Sequence, residues 1–147
     1  MERALVVAGL LVLSGCAFPA PPPPVNDTSV VAASPDLVLA RARRWFLGHG
    51  FEIEKTLRQR DGGRVVAARQ PFQEAAGYAR CAWAFKISGG VKPAARVTVI
   101  ATAERSGRTR VTAKVEIALV NTFGDRAQCA SHGALEQEIL AAVAASG

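Results

Sequence analysis

Few of the side chains that most chemistry requires are present in this 147-residue chain: two histidines, three cysteines, one methionine and one tyrosine. Metal centres draw on clustered histidine, cysteine and carboxylate ligands at fixed spacings. His49 and His132 stand far apart and Cys81 and Cys129 fit no ligand spacing, so no metal and no cofactor is expected. There is no Gly-x-Ser-x-Gly elbow, no phosphate-cradling Gly-x-x-x-x-Gly-Lys, no His-Glu-x-x-His and no pair of carboxylates framed by apolar sequence. A nucleophile needs a base beside it, and isolated histidines do not supply one. Cys129, Ser131 and His132 imitate a cysteine–histidine arrangement, but a disulfide would consume the thiol and a helix start accounts for Ser131. No catalytic residue is assigned, and the chain reads as a non-enzyme.

Acidic residues are also in deficit, 12 against 18 lysines and arginines, for a net charge of +6. The excess survives loss of the first residues, because Glu2 and Arg3 would leave together. A long membrane-spanning run is missing as well. "ALVVAGLLVLSG", behind Arg3, offers about 11 apolar residues where a spanning helix needs roughly 20. A short charged start and a short apolar run have the layout of a secretory signal, residues 1–15.

The end of that run is more specific. Leu13, Ser14, Gly15 and Cys16 resemble the bacterial lipobox in both order and spacing. The resemblance to lipoprotein precursors implies cleavage before Cys16 and lipidation of its thiol. Acyl chains contribute about 0.8 kcal/mol per buried methylene and hold a protein on a bilayer without a transmembrane helix. Residues 16–27 then form a linker whose "PAPPPP" should be an extended, semi-rigid spacer. By analogy with well-studied lipoproteins, Ala17, which is not aspartate, favours the outer membrane, with the domain facing the periplasm.

Residues 28–147 suit one compact domain. Residues 28–34 are β-branched and apolar, a first strand. Ser34, Pro35 and Asp36 start a helix that Gly48 or Gly50 ends, with Val38, Leu39, Ala42, Trp45 and Phe46 on its apolar stripe. "FEIEKTLR" alternates apart from Lys55, and "RDGG" turns it into "RVVAARQ". Pro71–Gly77 reads as a loop. "YARCAWAFKI" puts Cys81, Trp83, Phe85 and Ile87 on one face of a strand. "ARVTVIATAE" and "RTRVTAKVEIALV" flank Ser106-Gly107 as a second hairpin, and "SHGALEQEILAAVAA" is a helix behind Ser131. The order β-α-β-β-β-β-β-α implies an α+β two-layer sandwich: an antiparallel sheet of five to six strands with two helices on one face.

The stretch from Ser29 through Ser34-Pro35-Asp36 to Gly50-Phe51 resembles the opening of helix-grip domains. These occur in BamC-type lipoproteins of the outer-membrane β-barrel assembly machinery and in small ligand-binding proteins. "CASHGALEQEIL" resembles a signature of short proteobacterial lipoproteins, matched by Cys129, Ser131, Gly133 and Glu136. In an exported protein Cys81 and Cys129 read as a disulfide, two neighbouring free thiols being the alternative. Arg96, Arg108, Arg110 and Lys114 fall at outward positions of the last two strands and make a candidate basic face.

An exported domain does not routinely meet nucleic acid. The partners in view are the membrane through the N-terminal lipid, an envelope protein, or an anionic envelope polymer on the basic face. A small apolar ligand between sheet and helices, lined by Trp45, Trp83 and Phe85, is a further alternative. If Cys16 carries the lipid, a fatty-acid analogue fed to growing cells should label the wild-type chain and not Cys16→Ser, and the variant should leave the membrane fraction.

Overall fold

A computed structural model describes residues 24–81 and 90–145. The signal, the lipobox with Cys16, and Trp83, Phe85 and Ile87 lie outside those residues. The first strand, β1 (Thr28–Val31), leads into helix α1 (Pro35–Gly48) through the start anticipated from its residues. The Ser34 hydroxyl accepts the Leu37 N–H at 3.3 Å, and Pro35 has no N–H to leave unpaired. Val38, Leu39, Ala42 and Phe46 are its buried stripe, and it gives way at His49 to Gly50, whose φ is +72°.

Strands β2 (Glu52–Gln59) and β3 (Gly62–Arg69) form the first hairpin. Their register shifts between Ile53 and Lys55, a bulge at the place where the alternation of "FEIEKTLR" falters. A four-residue helix, α2 (Ala75–Tyr78), precedes β4 (Ala79–Cys81). Strands β5 (Lys92–Ala103) and β6 (Thr109–Val120) make the long central hairpin, followed by β7 (Arg126–Ser131) and helix α3 (Ala134–Ala144). Gly62 and Gly63 let the first hairpin pass close to its neighbours. A Cβ on Gly62 would lie 2.1 Å from the Ala101 carbonyl oxygen, and one on Gly63 2.4 Å from that of Leu57.

The strands form one antiparallel sheet in the order β2-β3-β5-β6-β7-β4, with β1 also pairing to β6. The fold is the α+β arrangement anticipated, helices packed on one face, though with seven strands and three helices among the described residues. Two elements go beyond the sequence reading. The segment read as a loop, Pro71–Gly77, ends in α2. The stretch before the last helix is β7, so Ser131 closes a strand, and the residue at the α3 N-cap is Gly133 with φ +86°.

The core lies between the inner face and the helices. Val65 and Ala67 of β3, Val97 and Val99 of β5, and Val111 and Ala113 of β6 meet Val38, Ala42 and Phe46 of α1 and Leu135, Ile139 and Val143 of α3. Each large apolar side chain buried there contributes about 1.5–3 kcal/mol. Alanines facing inward on three strands let the helix layer settle close to the sheet. The helices also join each other, Arg41 Nη1 donating to the Val143 carbonyl at 3.0 Å.

Cys81 and Cys129 are disulfide-bonded. They sit directly opposite each other on β4 and β7, on the core-facing side, since Cys129 is also opposite the buried Ile117. The bond therefore staples strand to strand, β4 to β7. It closes a loop of 48 residues, for which chain entropy assigns about 4 kcal/mol. The double change Cys81→Ser and Cys129→Ser should lower the urea-unfolding free energy by about that amount, and the oxidised chain should weigh two daltons less than the reduced one. An unchanged midpoint would show that the staple adds no stability.

Candidate functional site

Of the four cations assigned to the outward positions of the last two strands, Arg96, Arg110 and Lys114 are exposed on β5 and β6. Arg108 lies in the turn before β6. Arg96, Arg110 and Lys114 share the outward face of the sheet. In the register Arg96 faces Glu116, Lys114 faces Thr98 and Arg110 faces Thr102, so no two of these cations oppose each other. Arg96 is 2.8 Å from the Glu54 carboxylate, and Arg110 places two N–H bonds on Glu104 Oε1, at 2.9 and 2.7 Å. Exposed pairs of this kind are worth about 0–1 kcal/mol each.

Positive charge gathers instead at one end of the sheet. Antiparallel pairing of β3 with β5 sets Gly62 opposite Thr102, and the Ala103 N–H donates to the Asp61 carbonyl at 2.8 Å. The β2–β3 and β5–β6 turns therefore lie side by side. Arg58, Arg60 and Arg64 come from the first hairpin, and Arg105, Arg108 and Arg110 from the second. Arg58 stands 4.0 Å from Asp36. Among the described residues no carboxylate lies within ion-pair distance of Arg60, Arg64, Arg105 or Arg108. A groove of about 540 Å³ opens beside the hairpin, with Leu57, Ile100, Arg60 and Arg64 among its walls. The signal was present in sequence as two arginine-bounded turns, "LRQRDGGR" and "ERSGRTR". Only the pairing of β3 with β5 brings them together.

A second cluster sits between the helices. The Trp45 ring stacks on His49 at 4.0 Å, and the series continues through Phe51 and Phe72 to Tyr78, with neighbouring centroids 5.6–5.9 Å apart. Arg69 lies over Phe72 at 5.6 Å and reaches Glu74 at 3.1 Å. The space left among Trp45, Phe51, Phe72 and Leu135 is about 60 Å³. Pockets for small ligands are roughly 300–1,000 Å³, so these rings fill space rather than line a chamber.

Cys129, Ser131, Gly133 and Glu136 converge where β7 passes into α3. The Ser131 hydroxyl donates to Glu136 Oε2 at 2.9 Å and accepts the Gly133 N–H at 3.1 Å. Glu136 is buried in the first turn of α3, where a carboxylate suits the positive helix end. A Cβ on Gly133 would lie 3.0 Å from Val25 Cγ1, so glycine there also admits the incoming N-terminal segment. This set shapes a helix start, and nothing in its geometry pairs a nucleophile with a base. Among the described residues no three histidines, cysteines or carboxylates are grouped to hold a metal ion, and no helix is long and apolar enough to cross a membrane.

Tyr78 joins α2 to α3. Its hydroxyl donates to both Glu138 oxygens at 3.1 Å, and its carbonyl accepts the His132 N–H at 2.9 Å. Burial first, then the bond to Glu138 and the charges of Glu138 and Glu74, raise its pKa above 10.0. A phenol whose folded pKa is raised contributes stability that is intact below the unfolded value, about 10, and lost as pH rises through the folded one. As the chain has one tyrosine, phenolate absorbance titrates Tyr78 alone. Its midpoint should lie above 10.0 in the folded protein and move down in Glu138→Gln. Tyr78→Phe should flatten the alkaline fall in stability; a midpoint unmoved by Glu138→Gln would remove the carboxylate as a cause.

No family model, no curated protein and no solved structure matches this chain, so what it does is to be read from its own residues.

Proposed function

We propose that the chain is a lipid-anchored protein of the bacterial cell envelope, held at Cys16 on the outer membrane and facing the periplasm. It acts without catalysis, as an interaction module for another envelope protein. The Cys81–Cys129 disulfide carries the reading, because such bonds persist in oxidising compartments outside the cytosol. It agrees with the address in Leu13, Ser14, Gly15 and Cys16. The packed space between sheet and helices favours surface contact over capture of a small apolar molecule. The three helices take the inner face, while Arg96, Lys114, Glu116 and Gln128 point outward to solvent on the other. The unpaired arginines at the hairpin turns favour a second reading, contact with an anionic envelope component.

A photo-crosslinking side chain at Lys114 or Gln128 tests the first reading in growing cells. Discrete adducts with an envelope protein are expected from the wild-type chain and should be lost when Cys16→Ser frees the domain from the membrane. No adduct from either position would exclude a protein partner on this face.

A further inference from the structure

We propose that the arginine-bearing end of the sheet docks the domain on an anionic membrane surface, the guanidinium groups of its two turns taking lipid phosphates. For its reach the proposal rests on the anchor at Cys16. Arg60, Arg64, Arg105 and Arg108 are all exposed, and none is neutralised by a carboxylate among the described residues. Folding has thus set two arginine-bearing segments side by side, with Asp61 the one acidic residue among the described residues lining the groove, at the junction that the Ala103–Asp61 hydrogen bond holds together. Guanidinium groups present planar N–H forks that match phosphate oxygens.

Apolar groups accompany the charge. Leu57 and Ile100 are half-buried in the groove beside Arg60 and Arg64. Leu37, in the first turn of α1 next to the Asp36–Arg58 pair, is 45% exposed. An occupant whose phosphate adjoins hydrocarbon, as at the headgroup boundary of a bilayer, answers both features. A fully hydrophilic polymer would answer only the charge.

The tether makes the encounter intramolecular. The spacer from Ala17 to Pro24, ahead of the residues that pack on the fold, would reach about 25 Å if extended at about 3.1 Å per residue. Asp27 is bonded to Ala113, four residues or about 13 Å along β6 from Thr109 at the hairpin end, so that end can turn down to the bilayer that holds the lipid. Each arginine near an anionic surface strengthens attachment about fivefold.

Every described element lies between Thr28 and Ala144, so residues 17–147 carry the fold without Cys16. Sedimentation of that chain with vesicles of phosphatidylcholine, with or without a third of phosphatidylglycerol, tests the docking. Binding is expected only to the anionic vesicles, weakening as salt rises. Changing Arg60, Arg64, Arg105 and Arg108 to Gln should lower the partition coefficient at least about a hundredfold. Arg96→Gln with Lys114→Gln, on the flat face, should change it by no more than about twofold. Far-UV circular dichroism checks that the fourfold variant is folded, and the single change Arg60→Gln should give about a fivefold loss.

Equal binding to neutral vesicles, arginine variants that bind like the wild type, or binding to soluble polyphosphate with inert vesicles would each overturn the proposal. A failed anchor is distinguishable: the fatty-acid label would be absent from Cys16 while the vesicle result stood.

Discussion

Strand β6 must find hydrogen-bond partners along two edges, and the rest of the structure follows from how that demand is met. One edge pairs with β5 from end to end, Lys92 opposite Val120 and Ala103 opposite Thr109. The other edge is divided. β1 covers Thr109–Thr112, the Asp27 carbonyl takes the Ala113 N–H at 2.8 Å, and β7 covers Ile117–Val120. Leaving those buried groups unpaired would cost about 1–3 kcal/mol each. Because β1 runs into α1 and β7 into α3, the two strands that complete β6 also deliver both long helices to the same face.

Much of this was legible in the residues. The strict alternation of Val111, Ala113, Val115 and Ile117 with polar neighbours marks β6, and Ser34-Pro35-Asp36 marks the start of α1, because these signals act over a few residues. β7 was not legible. "RAQCAS" has no β-branched residue and only alanine and cysteine as apolar side chains, and it becomes a strand because β6 offers it an open edge and β4 a partner. Tertiary pairing overrode weak local preference there. The same limit applies to the charges. Parity located Arg110 and Lys114 on the outward face, but not Glu54 beside Arg96, which depends on the β2 bulge and on β3 lying between β2 and β5.

The candidate site illustrates a division of labour within one sheet. Inward positions are almost wholly apolar and are satisfied by packing, which leaves them little freedom for chemistry. Outward positions on the strands are tempered by neighbouring carboxylates, as at Arg96 and Arg110. Where the chain leaves the ladder, the turns bearing Arg60, Arg105 and Arg108, with Arg64 just inside β3, are joined by a backbone bond that does not involve these side chains. Charge concentrated in this way costs the core nothing and survives as a surface property.

The entry of the chain into the fold has a mechanical consequence. Val25 packs on Gly133, Gln137 Nε2 donates to the Asn26 carbonyl, and Asp27 continues the pairing of β1 with β6. A pull on the N-terminal segment along the axis of β1 therefore loads the β1–β6 bonds together, in shear, and does not peel them off singly. It bears at the same time on the first turn of α3. Drag on a domain held by its N-terminus would be taken up by the strand that shares the central edge of the sheet, and β1 would act as the molecule's mooring.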